Sequence, residues 1–116
     1  MHELAVCQAL MSELEAIAER ERAERILSLQ LRIGPLSGVV PELLARAFPI
    51  ASAGSLAAGA ELHIHRLPVR VSCRDCGAET GASPNRLLCG VCGGYRTRLL
   101  SGDEMLLASV ELERKE

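Results

Sequence analysis

The sequence predicts an α/β (α+β) fold: two helices packed on a three-stranded sheet, with a zinc-ribbon-like module inserted between the last two strands. Three observations predict it. Apolar residues recur at three- and four-residue spacing near the start, then switch to strict alternation. Two Cys-x-x-Cys pairs, Cys73–Cys76 and Cys89–Cys92, stand twelve residues apart. Alternation returns only after the second pair, so the cysteines interrupt a sheet. The 116 residues suit one domain, or one domain with a small appendage. Hydrophobic content of 48% is enough for a core, but aromatics are 2%, Phe48 and Tyr95 alone, so that core is aliphatic.

Residues 3 to 22 read as an amphipathic helix. Leu4, Cys7, Leu10, Met11, Leu14, Ile17 and Ala18 make one stripe, with Glu13, Glu15, Glu19 and Arg20 on the other faces. Cys7 lies in the stripe and reads as a buried thiol acting as a small hydrophobe, in preference to a reactive one. Glu3 suits the positive end of the helix dipole. Residues 25 to 33 alternate: Leu27, Leu29, Leu31 and Ile33 against Ser28, Gln30 and Arg32, a half-buried strand stopped by Gly34-Pro35. Pro41 and Glu42 suit the first turn of a second helix. Pro49 lacks an N–H and would crowd the carbonyl of Ala45, which predicts a kink or an early end and a loose stretch to Gly59. Residues 60 to 67 form the next strand, Leu62 and Ile64 inward, Glu61, His63 and His65 opposite. Two histidines at i, i+2 can bind a metal, but a solvent-facing pair is the simpler account. After Ser101-Gly102-Asp103 a last strand places Leu106, Ala108, Val110 and Leu112 on one face, with Ser109, Glu111 and Glu113 on the other.

The cysteine spacing carries the clearest chemistry. Each CxxC turns tightly enough to aim two sulfurs at one centre, and glycines follow (Gly77, Gly93-Gly94), as positive-φ turns require. Cys73, Cys76, Cys89 and Cys92 are therefore read as four thiolates around a structural Zn²⁺. Paired disulfides are the competing account, and a redox CxxC would want a βαβ context. A four-thiolate site is closed to substrate, which argues against a zinc hydrolase. A module of this size cannot bury a sufficient core, so metal supplies the folding energy, about 10–16 kcal/mol in structural zinc sites.

Thirteen basic and fifteen acidic residues give a net charge of −2. That balance disfavours a nucleic-acid face, and the scarcity of aromatics removes stacking platforms. Arg86, Arg96 and Arg98 form only a small local basic patch. Thiolate ligands and the odd Cys7 fit a reducing compartment. With no basic n-region at the start and no apolar run of membrane-spanning length, a cytoplasmic protein with no membrane partner is expected.

The first residues permit a second metal site. The Met1 amine, the amide nitrogens of His2 and Glu3 and the His2 imidazole can lie in one plane, an array suited to Ni(II) or Cu(II). The Glu3 carboxylate would add a ligand or orient the imidazole. On spacing alone an ordinary exposed terminus fits as well. The chain, however, resembles the HypA-type nickel metallochaperones of hydrogenase maturation. The likeness runs through Met1-His2-Glu3-Leu4, Ile33-Gly34-Pro35-Leu36-Ser37-Gly38-Val39, Pro41-Glu42-Leu43-Leu44 with Ala47-Phe48, and Gly59-Ala60-Glu61-Leu62. It continues through both Cys-x-x-Cys-Gly knuckles to Gly102-Asp103-Glu104-Met105. The resemblance implies Ni²⁺ as transported cargo bound at Met1, His2 and Glu3, with zinc as a structural ion.

It further implies a metal-delivery protein that is not an enzyme. Its implied partners are a nickel-handling maturation GTPase and a [NiFe]-hydrogenase large-subunit precursor, with urease maturation factors as further clients. Residues 1–68 and 102–116 would then form a nickel-binding α/β domain, and residues 69–101 the zinc-binding module. Exchange of a strand or of the zinc arm would give a homodimer. The alternative is a zinc-ribbon interaction module that binds protein or nucleic acid without nickel chemistry.

Overall fold

The computed structural model describes residues 2–115. Its elements are α1 (His2–Glu21), β1 (Ala23–Ile33), α2 (Pro41–Ser52), β2 (Glu61–Arg66), β3 (Arg70–Cys73), β4 (Glu79–Gly81), β5 (Thr97–Ser101) and β6 (Met105–Arg114). One three-stranded sheet has the order β2-β1-β6, the other β4-β3-β5. The expected helix-strand-helix-strand-insert-strand order is present. The insert carries a sheet of its own, which the sequence did not reveal: its strands are three to five residues long, too short for periodicity to register.

The chain divides into two compact units. The first comprises residues 1–31, 39–64 and 107–116, the second residues 32–38 and 65–106. In the first, Cys7, Leu10, Met11, Leu14 and Ala18 of α1, Ile26, Leu29 and Leu31 of β1, and Leu44 and Phe48 of α2 are buried. The helical stripe is rotated from its expected position. Leu4 is 36% exposed, whereas Glu3 is buried on the line that continues to Cys7, Leu10 and Leu14.

α2 runs through Pro49 to Ser52, so the early end expected there does not occur. Pro49 lies inside α2 and is exposed, as is Ala45, whose carbonyl loses the amide and can turn to water, while Phe48 and Ser52 are buried on either side of it. The stretch after it is not loose. The Ser55 hydroxyl donates to Ser52 O at 2.6 Å, the Ala57 amide donates to the Ser55 hydroxyl at 3.1 Å, and Ala57 is fully buried. These serine-bonded turns replace helix with another satisfied backbone pattern.

The expected face of β6 needs a second correction. Leu106 is 49% exposed and Ala108 is exposed, while Leu107, Val110 and Leu112 are half-buried. Ala108 and Ser109 are outward in succession, a one-residue slip of the alternation. β1 shows a similar change of phase: Ile26 is buried and Leu27 only half-buried, and the Ile26 amide bonds to Leu56 O at 2.9 Å.

In the second unit, β3 is the central strand. Val71 faces Thr80 of β4 and Leu99 of β5, and Ser72 faces Glu79 and Arg98. Its buried side chains are few: Ile33, Val69, Val71, Cys73 and Cys89. Backbone segments cross closely here. The Gly34 amide donates to Glu104 O at 2.8 Å and the Leu36 amide to Gly102 O at 2.7 Å.

Candidate metal centres

β3 delivers Cys73 to the start of the first knuckle. The two knuckles then repeat one hydrogen-bond pattern. The first cysteine's amide donates to the carbonyl five residues on: Cys73 to Ala78 and Cys89 to Gly94, both at 2.9 Å. Its carbonyl accepts from the glycine four residues on, Gly77 at 3.0 Å and Gly93 at 2.9 Å. Both glycines have positive φ, +77° and +74°, which is why glycine follows each pair. Amides also point at sulfur. Cys76 N lies 3.5 Å from Cys73 Sγ, and Val91 N and Cys92 N lie 3.4 Å from Cys89 Sγ. Gly94 N is 3.4 Å from Cys92 Sγ. Such donors stabilise thiolate charge.

The four sulfurs lie within 4.8 Å of one another. Cys73 and Cys92 Sγ are 3.6 Å apart, and Cys76 and Cys89 Sγ 3.5 Å. Tetrahedral zinc with bonds near 2.3 Å would hold its sulfurs about 3.8 Å apart, so the donor set fits a closed four-thiolate ion. Among the described residues, these cysteines are the group of three or more ligating side chains that converges. Cys89 is drawn down to about 6, chiefly by the amides of Cys92 and Val91. Cys92 receives help from the Gly94 amide, yet the facing Cys73 thiol and burial push it up to about 12. Cys73 is lowered by the Cys76 amide. Cys76 is raised despite the Ala78 amide, because the Cys89 and Cys73 sulfurs and burial outweigh it. In each close pair one sulfur is held below the ordinary thiol range and its neighbour above it. A metal ion would displace the protons that remain on the four sulfurs.

The knuckles are tied to the sheet. The Arg74 amide donates to Arg96 O at 2.8 Å and the Gly90 amide to Thr80 Oγ1 at 2.9 Å. Arg86, Arg96 and Arg98 are exposed, but Arg96 pairs with Asp75 at 3.4 Å, which weakens that small basic patch further. Val91 and Tyr95 are 71% and 80% exposed beside the second knuckle.

At the other end of the chain, Met1 lies outside the described residues. His2 is the first residue of α1 and its side chain is exposed. The amides of His2 and Glu3 belong to the first helical turn, where no intrahelical acceptor exists. The Glu3 carboxylate, by contrast, is buried to 7% exposure and accepts the Val40 amide at 3.2 Å. That bond, against the opposing effect of burial, holds the carboxyl below its ordinary range. Val40 is the N-cap of α2 and has no side-chain cap of its own. Sequence reasoning missed Val40. The available signal was that Glu3 precedes Cys7 by four residues and so falls on the buried stripe. His63 and His65 share an exposed face of β2, as expected, and His63 Nε2 lies 3.3 Å from Glu61 Oε2.

Residues 1–112 match the family described as hydrogenase/urease nickel incorporation, metallochaperone, HypA. The hydrogenase maturation factor HypA of Nitrosospira multiformis is 47% identical over 112 residues, covering 97% of this chain and 97% of its own. That of Aquifex aeolicus is 37% identical over 113 residues, covering 97% and 98%. Among solved structures, the Ni metallochaperone HypA from Helicobacter pylori aligns with a TM-score of 0.71 at 26% identity, over 97% of this chain and 98% of that one. A second solution structure, of a HypA protein, aligns at 0.74 and 26% identity, over 99% and 98%.

Proposed function

The chain belongs to the HypA family of nickel-incorporation metallochaperones, and from that premise we propose that it binds Ni(II) at its N-terminus and delivers it for maturation of [NiFe]-hydrogenase. The ligands are Met1, through its amine, His2, through imidazole and amide, and Glu3. The observation that carries this assignment is the exposed His2 at the first helical position, where neighbouring amides lack helical acceptors. Nickel prefers such planar nitrogen arrays, and a terminal site can exchange its ion with a partner.

The four cysteines hold a structural zinc, assigned on the convergence of their sulfurs. Nickel handling belongs to residues 1–68 and 102–116, and zinc to residues 69–101. The protein acts by binding and transfer in place of catalysis. Its partners are a nickel-handling GTPase and the hydrogenase large-subunit precursor, with urease maturation factors as further clients, and its thiolate ligands suit the cytoplasm. A stand-alone zinc-ribbon module is not favoured, because the family match runs from residue 1 to residue 112.

The test is metal analysis and nickel titration of untagged protein. His2→Ala is expected to lose Ni(II) binding while its zinc content stays unchanged. Near-stoichiometric nickel in that variant would sink the site assignment.

A further inference from the structure

We infer that the Glu3 side chain is a positioning residue: it clamps the first turn of α1 to the start of α2, and its carboxylate is not itself a nickel ligand. This rests on the N-terminal nickel site proposed above, and it separates what Glu3's main chain and side chain do there. Adjacent residues on a helix do not face each other. His2 is turned to solvent, while Glu3 is turned inward and 7% exposed. A carboxylate ligand would have to leave that position and abandon the Val40 amide, which it accepts at 3.2 Å.

The bond also answers a need of α2. Its N-cap, Val40, offers no side-chain acceptor, and Glu3 brings a carboxylate to that N-terminus from another helix. One turn further along, the same line of contact recurs: Cys7 Sγ approaches Leu44 O at 3.8 Å. Residues 3 and 7 of α1 therefore meet residues 40 and 44 of α2, two rungs in one register. The upper rung lies next to His2, so it sets where the imidazole and the first-turn amides stand. Val40 takes part through its N–H, since its side chain is 44% exposed.

The experiment compares nickel affinity, zinc content and helical circular dichroism in wild type, Glu3→Gln, Glu3→Ala, Val40→Pro and the Glu3→Ala/Val40→Pro pair. Glutamine keeps a carbonyl oxygen for the Val40 amide but lacks the charge of a good nickel ligand. Proline at 40 removes the donor, and the present φ of −91° is already negative, so the backbone has to shift by only about 25° to reach proline's preferred value. Glu3→Gln is expected to stay within about threefold of wild type, while Glu3→Ala and Val40→Pro each weaken nickel by about tenfold. The double variant should be no worse than either single, because both remove one contact.

The inference is overturned if Glu3→Gln loses nickel as fully as Glu3→Ala, or if Val40→Pro binds like wild type. The two Glu3 variants decide the matter alone should Val40→Pro not fold. Failure of the site itself looks different: wild type takes up no nickel, or His2→Ala binds as wild type does.

Discussion

Cys7 shows how a single side chain is decided by its surroundings. It is fully buried, its thiol points to Leu44 O, and burial followed by the charge of Glu3 raises its pKa above the ordinary thiol value. The sign is that of an acid kept protonated by the fold. Its contribution is present in full below the pKa of the unfolded thiol and is lost as pH rises through the folded value. Cys7→Ala should cost about 1 kcal/mol in urea unfolding near neutrality, from the lost packing of one sulfur. The difference from wild type should narrow as pH rises past the thiol range. An unchanged difference in strongly alkaline buffer would show that Cys7 ionises as easily folded as unfolded. Cys7 was legible because sulfur behaves as a hydrophobe at helical spacing. Glu3, four residues earlier on the same line, was not, since a carboxylate there matched the helix dipole equally well. Only the proximity of Val40, thirty-seven positions away, separates the two accounts.

The loop between β1 and α2 depends on glycine for closeness of approach. Gly34 reads in the sequence as a strand stop. In the fold, a Cβ on Gly34 would run into the Gly102 carbonyl. The crossing carries the Gly34–Glu104 and Leu36–Gly102 backbone bonds, so added volume must part them. Gly34→Ala should destabilise the protein by about 3 kcal/mol, overpacking and lost hydrogen bonds together. A thermal melt within a degree of wild type would contradict the close crossing. Local sequence shows where a chain turns, but not which distant backbone lies against the turn. Helices and long strands were readable because burial repeats along them. Where the repeat slips, as at Ala108-Ser109, or where serine bonds replace helix after Ser52, periodicity carries no signal.

Across the whole molecule, the two units differ in what can hold them together. The first buries an aliphatic core drawn from α1, α2 and β1. The second buries Ile33, Val69 and Val71 and, beyond these, the thiols Cys73 and Cys89. Its β4 has three residues and β5 five, short of what a free-standing sheet needs. A metal held by the four cysteines would therefore provide much of its folding energy, as the paired cysteines implied before any sheet was evident there. Cys73→Ser, or removal of the ion by a chelator, should release zinc and collapse the amide signals of residues 70–101 in a nitrogen–proton correlation spectrum. The signals of α1 and its helical circular dichroism should persist, because α1 belongs to the unit that buries its own aliphatic core. Acid should act in the same direction as the chelator. Zinc needs all four sulfurs as thiolates, so protons compete for them as pH falls, and the ion should leave before the helices melt. Loss of helical signal together with zinc would mean that the first unit cannot stand on its aliphatic core alone.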